Sequence, residues 1–548
     1  MDGGFSHNGK TLLSAVDPAA KADRIADAVP VMDRTLYLCP SPLFGYGLER
    51  LLSRLSGAAP ESALLCVEAD PLLYALSLEN IGPALKKHPK LRLTDRCQEG
   101  ALCALIRREW GPRTFRRVQT VRLNGGWQLF PALYDTIAEA LRKEIALDWG
   151  NALTLAKLGR LYIRNALRNL SLVPRCPSLA RLSFGGDPVL ALGAGPSLDK
   201  FLEAFPESAA EARPFRIVCV DTCLPALRQR GIKPDLVVIL ESQHWNLGDF
   251  TGLSGWDVPA AFDLSALPRS AAVLSGGLFL FFTPWTGLKI FGRLEASGLL
   301  PLKFTPLGSV GLSAVAIALR LSRGTVVTAG LDFSFTIDSY HARSTPDHLG
   351  RLRRQNRFSG LIDTGAAFSP ASNAVSKNGA KVLSSPSLRN YRDLFEREFA
   401  GGEAALRLFD TAGSGLSLGI KTVSPEAAFQ MLCSGGPAGA FQPLSENGID
   451  ALESAALAVK TKAFFQAEKA RLIRLRNILS GEAAMDIRAL ENLIGECDYL
   501  WAHFPDYAAA CRPPAGSDLE AGGPAVISFL KRLRAEADSF LRLLESAA

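Results

Sequence analysis

Val189-Leu-Ala-Leu-Gly-Ala-Gly-Pro-Ser-Leu198 is the stretch from which the fold can be read. Its short apolar run does not alternate with polar residues, so it reads as a strand covered on both faces. The strand ends at Gly193. The glycines free the backbone, Pro196 pre-sets φ for a first helical turn, and Ser197 is placed to cap the helix that follows. Strand, tight turn and helix in this order open a parallel βαβ unit. Such a turn exposes backbone N–H groups beside a helix N-terminus, where the dipole favours an anion. Gly193, Gly195, Pro196 and Ser197 are therefore candidate phosphate-binding residues. The stretch lacks the Lys-Ser/Thr of a P-loop and the third glycine of the dinucleotide fingerprint.

Working outward, further apolar runs read as strands at Arg216–Val220, Leu236–Leu240, Thr325–Ala329 and Leu406–Phe409. Helices are expected at Leu198–Phe205, Leu224–Arg230 and Ser309–Leu321. This alternation predicts a doubly wound parallel sheet over 185–432 with its ligand at the carboxyl ends of the strands. Two strand ends carry polar groups there: Asp221-Thr222 after Val220, and Glu241-Ser-Gln-His244 after Leu240. Acids in this place bind ribose or base; the alternative for Asp221 is that it caps the next helix. A last cluster is Gly308-Ser309 opening a helix, then Gly330-Leu-Asp332 ending a strand, then Ser339-Tyr-His-Ala-Arg343. Tyr340, His341 and Asp332 are candidate acid–base groups, and Arg343 can hold an anion.

Before this domain the pattern is also α/β. Thr35–Cys39 and Ala63–Val67 read as strands around a helix at Leu48–Leu55. Ser41-Pro-Leu-Phe-Gly-Tyr-Gly47 and Glu68-Ala-Asp-Pro71 stand at their ends, like half of a nucleotide-binding unit. The bland alternative is that these glycines serve φ > 0 alone. The expected organisation is a polar segment 1–33, a Rossmann-like domain 34–128, a helical bridge 129–175, the central domain 185–432 and a C-terminal helical domain 445–548. The linker Pro174–Pro188 sets off the central domain, and apolar spacing at Ala463–Leu479 and Val526–Leu544 marks the last one. On the bridge, Asn165 and Asn169 share a helix face and read as buried asparagines bonded to neighbouring backbone.

Composition narrows the function classes. The chain has 548 residues, 48% hydrophobic and 21% charged, which excludes wholesale disorder. With 61 basic and 54 acidic residues the net charge is +7, a mild bias that suits anionic small molecules and not nucleic acid. Ten cysteines form neither a disulfide framework nor a zinc pattern and read as buried thiols in a reducing compartment. The first thirty residues carry Asp2, Asp17, Asp23 and Asp27. The most apolar segment, Ala271–Phe282, holds Gly276 and Gly277 and stops at Pro284. The expectation is a cytoplasmic protein without a signal peptide or membrane span.

The GAGPSL turn, the passage from Val220-Asp-Thr222 to Gly231-Ile-Lys-Pro-Asp235, and Gly308-Ser-Val310, Ala314-Val-Ala-Ile-Ala-Leu319, Gly330-Leu-Asp-Phe-Ser334 and Tyr340-His-Ala342 together resemble the motility-associated factor (Maf) flagellin glycosyltransferases. That family shares its central domain with 6-hydroxymethylpterin diphosphokinase MptE-like proteins, and the central motifs are similar to bacterial CMP-sialic-acid sialyltransferases. Phe44–Leu52, Trp149–Leu153, Arg164–Leu170, Tyr391–Glu396 and Phe409–Gly415 also fit the Maf layout, so the resemblance runs from Thr35 to Leu432.

The resemblance implies metal-independent transfer of a nonulosonic (sialic-like) sugar from a CMP donor to Ser/Thr of flagellin, in support of flagellar assembly and motility, with no tightly bound cofactor. Gly193 to Ser197 would hold the nucleotide phosphate, Gly308 and Ser309 would lie beside the donor, and Tyr340 would support the leaving phosphate. His341 is the candidate base, with Asp332 and Glu241 next. Three positions depart from the sialyltransferase pattern: Ala194 and Asp221 where it has asparagine, and Ser334 where it has a second tyrosine. Its histidine lies well downstream, whereas here none stands between His348 and His503. The alternatives are an ATP-dependent pterin diphosphokinase, with Mg²⁺ on Asp221 and Glu241, and a non-catalytic flagellin-binding assembly factor. Arg343–Ala380, with Arg351, Arg353, Arg354 and Arg357, reads as a long irregular lid suited to an anionic donor or as a solvated surface helix. The C-terminal helices are expected to dock protein and not sugar.

Overall fold

The computed structural model describes residues 5–111, 113–205, 213–358, 360, 371–434, 449–482, 486–510, 513–514 and 516–547. The chain packs as two compact units: Met1–Arg160 with Trp501–Ala515, and Leu161–Leu500 with Gly516–Ala548. The helix Pro131–Asn169, expected as a bridge, gives its first part to one unit and its last turns to the other. The C-terminal segment expected from 445 to 548 is divided in the same way, and its start lies outside the described residues.

The first unit holds a parallel sheet of β1 (Thr35–Pro40), β2 (Ala63–Val67), β3 (Leu91–Thr94) and β4 (Arg117–Thr120), ordered β3-β2-β1-β4. Successive side chains leave a strand on opposite faces. Leu36, Leu38, Leu65 and Val67 enter one core with Leu102 and Leu141, while Tyr37, Cys39, Leu64 and Cys66 enter the other with Leu48, Leu51 and Leu55. Both faces are covered, which is why these runs are apolar without alternation. The acid after β2 is consumed internally: Glu68 accepts from the Ser41 hydroxyl at 2.6 Å, the Asp70 N–H at 3.1 Å and the Tyr134 hydroxyl at 3.3 Å, and burial raises its pKa.

The second unit holds a nine-stranded sheet, all of its pairings parallel. Its strands are β5 (Val189–Leu192), β6 (Arg216–Val220), β7 (Leu236–Ile239), β8 (Ala260–Asp263), β9 (Leu278–Phe282), β10 (Leu302–Lys303), β11 (Val326–Ala329), β12 (Leu408–Thr411) and β13 (Lys421–Val423). The order is β10-β9-β8-β7-β6-β5-β11-β12-β13. From β5 the chain winds one way out to β10, then returns to pair β11 on the other side of β5. The strand order therefore reverses between β5 and β11, where an open α/β sheet leaves a crevice at its carboxyl edge. The helix α1 (Val310–Leu321) packs on β5 and β6, its small residues Gly311, Ala314 and Ala318 buried.

The two doubly wound parallel sheets and the helical C-terminal segments, Ala451–Ser480 and Pro524–Ala547, agree with the expected class. The differences lie in the number and bounds of the strands. The strands β3 and β4 of the first sheet, and β8, β9, β10 and β13 of the second, are additional to the expected ones; β9 is the end of the apolar segment Ala271–Phe282. Strand β12 begins at Leu408, because Gly402–Arg407 is helical. The segment 343–380 is not wholly irregular. Pro346–Arg354 is a helix with Arg353 and Arg354 exposed, and Ser372–Val375 pairs with Lys381–Ser384 as a hairpin. Residues 359 and 361–370 of that expected lid lie outside the described residues.

Asn165 and Asn169 lie as the sequence suggested. Asn165 donates to the carbonyls of Ser242 (2.9 Å) and Ser265 (3.2 Å), and Asn169 to those of Leu264 (2.9 Å) and Ala266 (2.8 Å). Both are buried, and they fasten the helix to the strand ends beyond β7 and β8.

Candidate active site

A cavity of about 160 Å³ opens where β5 and β11 part. It is lined by Gly193–Gly195 after β5, Val220 and Thr222 at the end of β6, Ser309–Gly311 at the start of α1, Gly330–Ser334 after β11, and Tyr340, His341 and Leu388. Seven of the residues singled out from sequence meet here: Gly193, Gly195, Thr222, Ser309, Asp332, Tyr340 and His341. Pro196, Ser197, Asp221, Glu241, Gly308 and Arg343 do not line it.

Ser197 does not cap its helix. Pro196 takes the N-cap position, and the carboxylate of Asp332 closes the helix end instead. It accepts from the Ser197 N–H at 2.6 Å and from the Ser197 hydroxyl at 2.5 Å. A Cβ on Gly195 would lie 2.6 Å from Asp332 Oδ2 and 2.8 Å from the Gly330 carbonyl, so close approach, and not a turn alone, requires glycine there. Asp332 is 3% exposed; burial raises its pKa, opposed by the Ser197 bonds and by the charge of Lys377. That lysine is itself buried. Its ammonium is 2.5 Å from Asp410, with side chains 5% and 1% exposed, and Asp410 also accepts from the Thr328 hydroxyl at 2.9 Å. Burial outweighs the lysine and lifts Asp410 to about 6.

The second helix end differs. Ser309, the N-cap of α1, makes no side-chain capping bond, and Ser309, Val310 and Gly311 border the cavity. A first turn of backbone N–H groups left without a side-chain acceptor is suited to an anion. Gly308 bends the chain into it at φ +68°, its Cα facing the ring of Tyr391.

Asp221 is neither a helix cap nor a cavity acid. Its carboxylate accepts from the Thr222 N–H at 2.9 Å and from the Asn246 amide at 2.5 Å. The same amide reaches Asp249 at 3.2 Å, while the Ser270 hydroxyl donates to Asn246 Oδ1 at 2.7 Å. Burial pushes both acids above the ordinary range, helped by the charge of Glu241 on each and by the charge of Asp221 on Asp249. Glu241 is exposed and accepts from the Gln243 N–H at 2.8 Å. Arg343, expected to hold an anion, has a side chain 72% exposed and already faces acids, Asp199 and Glu203, each at 3.9 Å.

Tyr340 and His341 do not point opposite ways, as neighbours on an extended loop would. Both line the cavity, with ring centres 4.9 Å apart. The Ala342 N–H donates to the Ala194 carbonyl at 2.9 Å, which fastens their loop to the glycine turn. Tyr340 packs on Phe335 at 4.6 Å, and the Arg351 guanidinium stands 5.9 Å from its ring centre. His341 Nδ1 is 3.4 Å from Asp347 Oδ2, which also receives Arg351 at 2.7 Å. The His341 bond, joined by the Arg351 charge, holds the Asp347 carboxyl below its ordinary value against the opposing effect of burial. His348 Nδ1 accepts from the Ser344 N–H at 3.1 Å. Among the described residues no group of three His, Cys, Asp or Glu is placed to hold a metal ion.

The arrangement brings a helix start without a side-chain cap, a phenol and an imidazole into one cavity, and groups of these kinds can serve transfer from a phosphate leaving group. Lys377, Asp410, Asn246, Asp249 and Asp347 escaped the sequence reading. Only Asp347 carried a signal: Thr345-Pro-Asp347 is a helix start a few residues beyond His341.

Residues 163–338 match the family described as 6-hydroxymethylpterin diphosphokinase MptE-like. An uncharacterized protein of Treponema pallidum (strain Nichols) is 30% identical over 539 residues, 95% of this chain and 90% of the relative. A second uncharacterized protein of that organism is 27% identical over 119 residues, 21% of this chain and 53% of the relative. The solved structure of a MAf glycosyltransferase from Magnetospirillum magneticum AMB-1 aligns with a TM-score of 0.50 and 15% identity, covering 96% of this chain and 83% of that one. The motif-based resemblance is thus met in the central domain and in the fold of nearly the whole chain. The chain belongs to one family with the first of these Treponema pallidum proteins, and it carries an MptE-like domain within the fold of a Maf glycosyltransferase.

Proposed function

We propose that this protein is a glycosyltransferase that moves a nonulosonic sugar from a CMP donor to Ser/Thr hydroxyls of flagellin in the cytoplasm. One observation carries the reading: the uncapped start of α1 and the side chains of Tyr340 and His341 share a cavity at the point where the strand order reverses. The donor phosphate lies against the N–H groups of Val310 and Gly311, and the Tyr340 hydroxyl donates to it as it leaves. His341 takes the proton of the acceptor hydroxyl. The acceptor oxygen bonds to the anomeric carbon as the bond from that carbon to the phosphate oxygen breaks, and CMP departs with the electron pair. The closed helix end at Ser197 shifts the phosphate from the glycine turn toward Ser309, and Gly193 and Gly195 serve as the close-packed floor. The C-terminal helices remain our candidate for docking flagellin. Among the described residues no helix is long and apolar enough to cross a membrane.

The MptE-like match favours a second reading, ATP-dependent diphosphoryl transfer to a pterin. The acids expected to carry its Mg²⁺ do not fit that task. Asp221 spends its oxygens on Thr222 and Asn246, and neither it nor Glu241 lines the cavity. Calorimetric titration with CMP, ATP and GTP separates the readings. Binding of CMP without added metal is the expected result, and tight ATP binding that needs Mg²⁺ overturns it. Intact mass of flagellin from cells with and without the gene then tests the acceptor, and an unchanged mass leaves only the assembly-factor reading.

A further inference from the structure

We infer that Asp347 is a positioning residue for His341: its carboxylate accepts the Nδ1–H of the imidazole and thereby leaves Nε2 as the free, proton-accepting nitrogen. The inference rests on the reading of the cavity as the transfer site, and it assigns the protonation state that a base at His341 needs.

The geometry comes from a single helix start. Pro346 opens the helix Pro346–Arg354, which puts Asp347 in its first turn and Arg351 one turn later on the same face. Arg351 donates to Asp347 Oδ2 at 2.7 Å, and that same oxygen lies 3.4 Å from His341 Nδ1. Arg351 also stands 5.9 Å from the ring centre of Tyr340. One arginine thus fixes the carboxylate beside the imidazole and faces the phenol next to it. A neutral imidazole has one N–H, and the bond made by one nitrogen decides the state of the other. Nδ1 facing a carboxylate that is held ionised carries the proton, so Nε2 has a free lone pair. His348 provides the contrast within the same segment: its Nδ1 accepts a backbone N–H from Ser344, so its proton belongs on Nε2.

The test uses the full-length protein labelled with ¹⁵N-histidine and long-range proton–nitrogen spectra, which distinguish Nδ1–H from Nε2–H. His341→Gln assigns the His341 signals. The expected result is Nδ1–H at His341 in the wild type, conversion to the Nε2–H form in Asp347→Ala, and His348 unchanged throughout. An Nε2–H form of His341 in the wild type, or one tautomer in both proteins, overturns the inference. Asp347→Asn and Asp347→Glu cover the case where the alanine variant fails to fold. In the transfer assay Asp347→Asn lowers kcat at least about tenfold, where imposing the wrong tautomer on a catalytic histidine costs as much as ~10⁴-fold. KM stays near the wild-type value and Asp347→Glu recovers part of the rate. Wild-type kcat in Asp347→Asn overturns the inference. If His341→Gln itself transfers at the wild-type rate, the base assignment under the proposed function fails, while the tautomer spectra still judge the Asp347 contact.

Discussion

Asp332 and Ser197 close a helix end from within the protein. The carboxylate takes both the backbone N–H (2.6 Å) and the hydroxyl (2.5 Å) of Ser197. A helix N-terminus that would otherwise attract an anion has received one from the chain itself. Among the described residues no side chain accepts from the helix start at Ser309, so two helix starts that look alike in sequence differ in how their first N–H groups are met.

Asp332→Asn replaces one of two acceptor oxygens by a donor that faces a donor. It should destabilise the fold by about 1–3 kcal/mol, the usual cost of a buried polar group left unsatisfied. Gly195→Ala forces its Cβ to 2.6 Å from the same carboxylate and should also lower the melting temperature. Urea or thermal denaturation checks both, and unchanged midpoints would remove the clamp from the account.

Ser309→Asp separates stability from binding. An aspartate at this N-cap supplies the missing acceptor and should stabilise the helix by about 0.3–1 kcal/mol. It also places a negative charge where the donor phosphate is proposed to lie, so CMP affinity should fall at least tenfold. Calorimetry and a thermal melt of one sample read both, and a variant that binds CMP like the wild type relocates the phosphate.

Lys377→Met leaves Asp410 as a buried carboxylate without its cation, at a cost of about 3–5 kcal/mol. The pH dependence has a definite sign. Burial raises Asp410 in the folded state from 3.8 to about 6, so the folded protein binds more protons than the unfolded chain in that window. Stability from this group is therefore lost as pH rises through about 6. Without Lys377 the shift is larger, and the deficit against wild type should grow between pH 5 and 8. Denaturation at a series of pH values checks this, and Lys377→Met with Asp410→Asn should recover part of the loss.

Tyr340→Phe keeps the ring on Phe335 and removes only the hydroxyl. If that hydroxyl meets the leaving phosphate, turnover should fall about 10²–10³-fold with donor affinity little changed. Wild-type turnover in the flagellin assay would make this residue structural.

The sequence by itself determined the elements that local chemistry dictates. Val189–Leu192 and Arg216–Val220 are strands over the expected residues, because an apolar run bounded by glycine, proline or charge has few other ways to be buried. Asn165 and Asn169 announced a buried helix face because two amides four residues apart must find partners together. Tyr340 and His341 could be singled out as adjacent chemistry, and both do reach the cavity. Only the tertiary structure decided which polar groups are spent inside the protein. Asp332 meets Ser197 across 135 residues, Lys377 meets Asp410 across 33, and Asn246 meets Asp221 across 25. A carboxylate's partner is fixed by sheet order and loop placement, which no residue type or spacing encodes locally. For that reason the sequence could single out Asp332, Tyr340 and His341 at the carboxyl edge of the sheet, but could not say that Asp332 is spent on Ser197 while Ser309 borders the cavity without a side-chain cap.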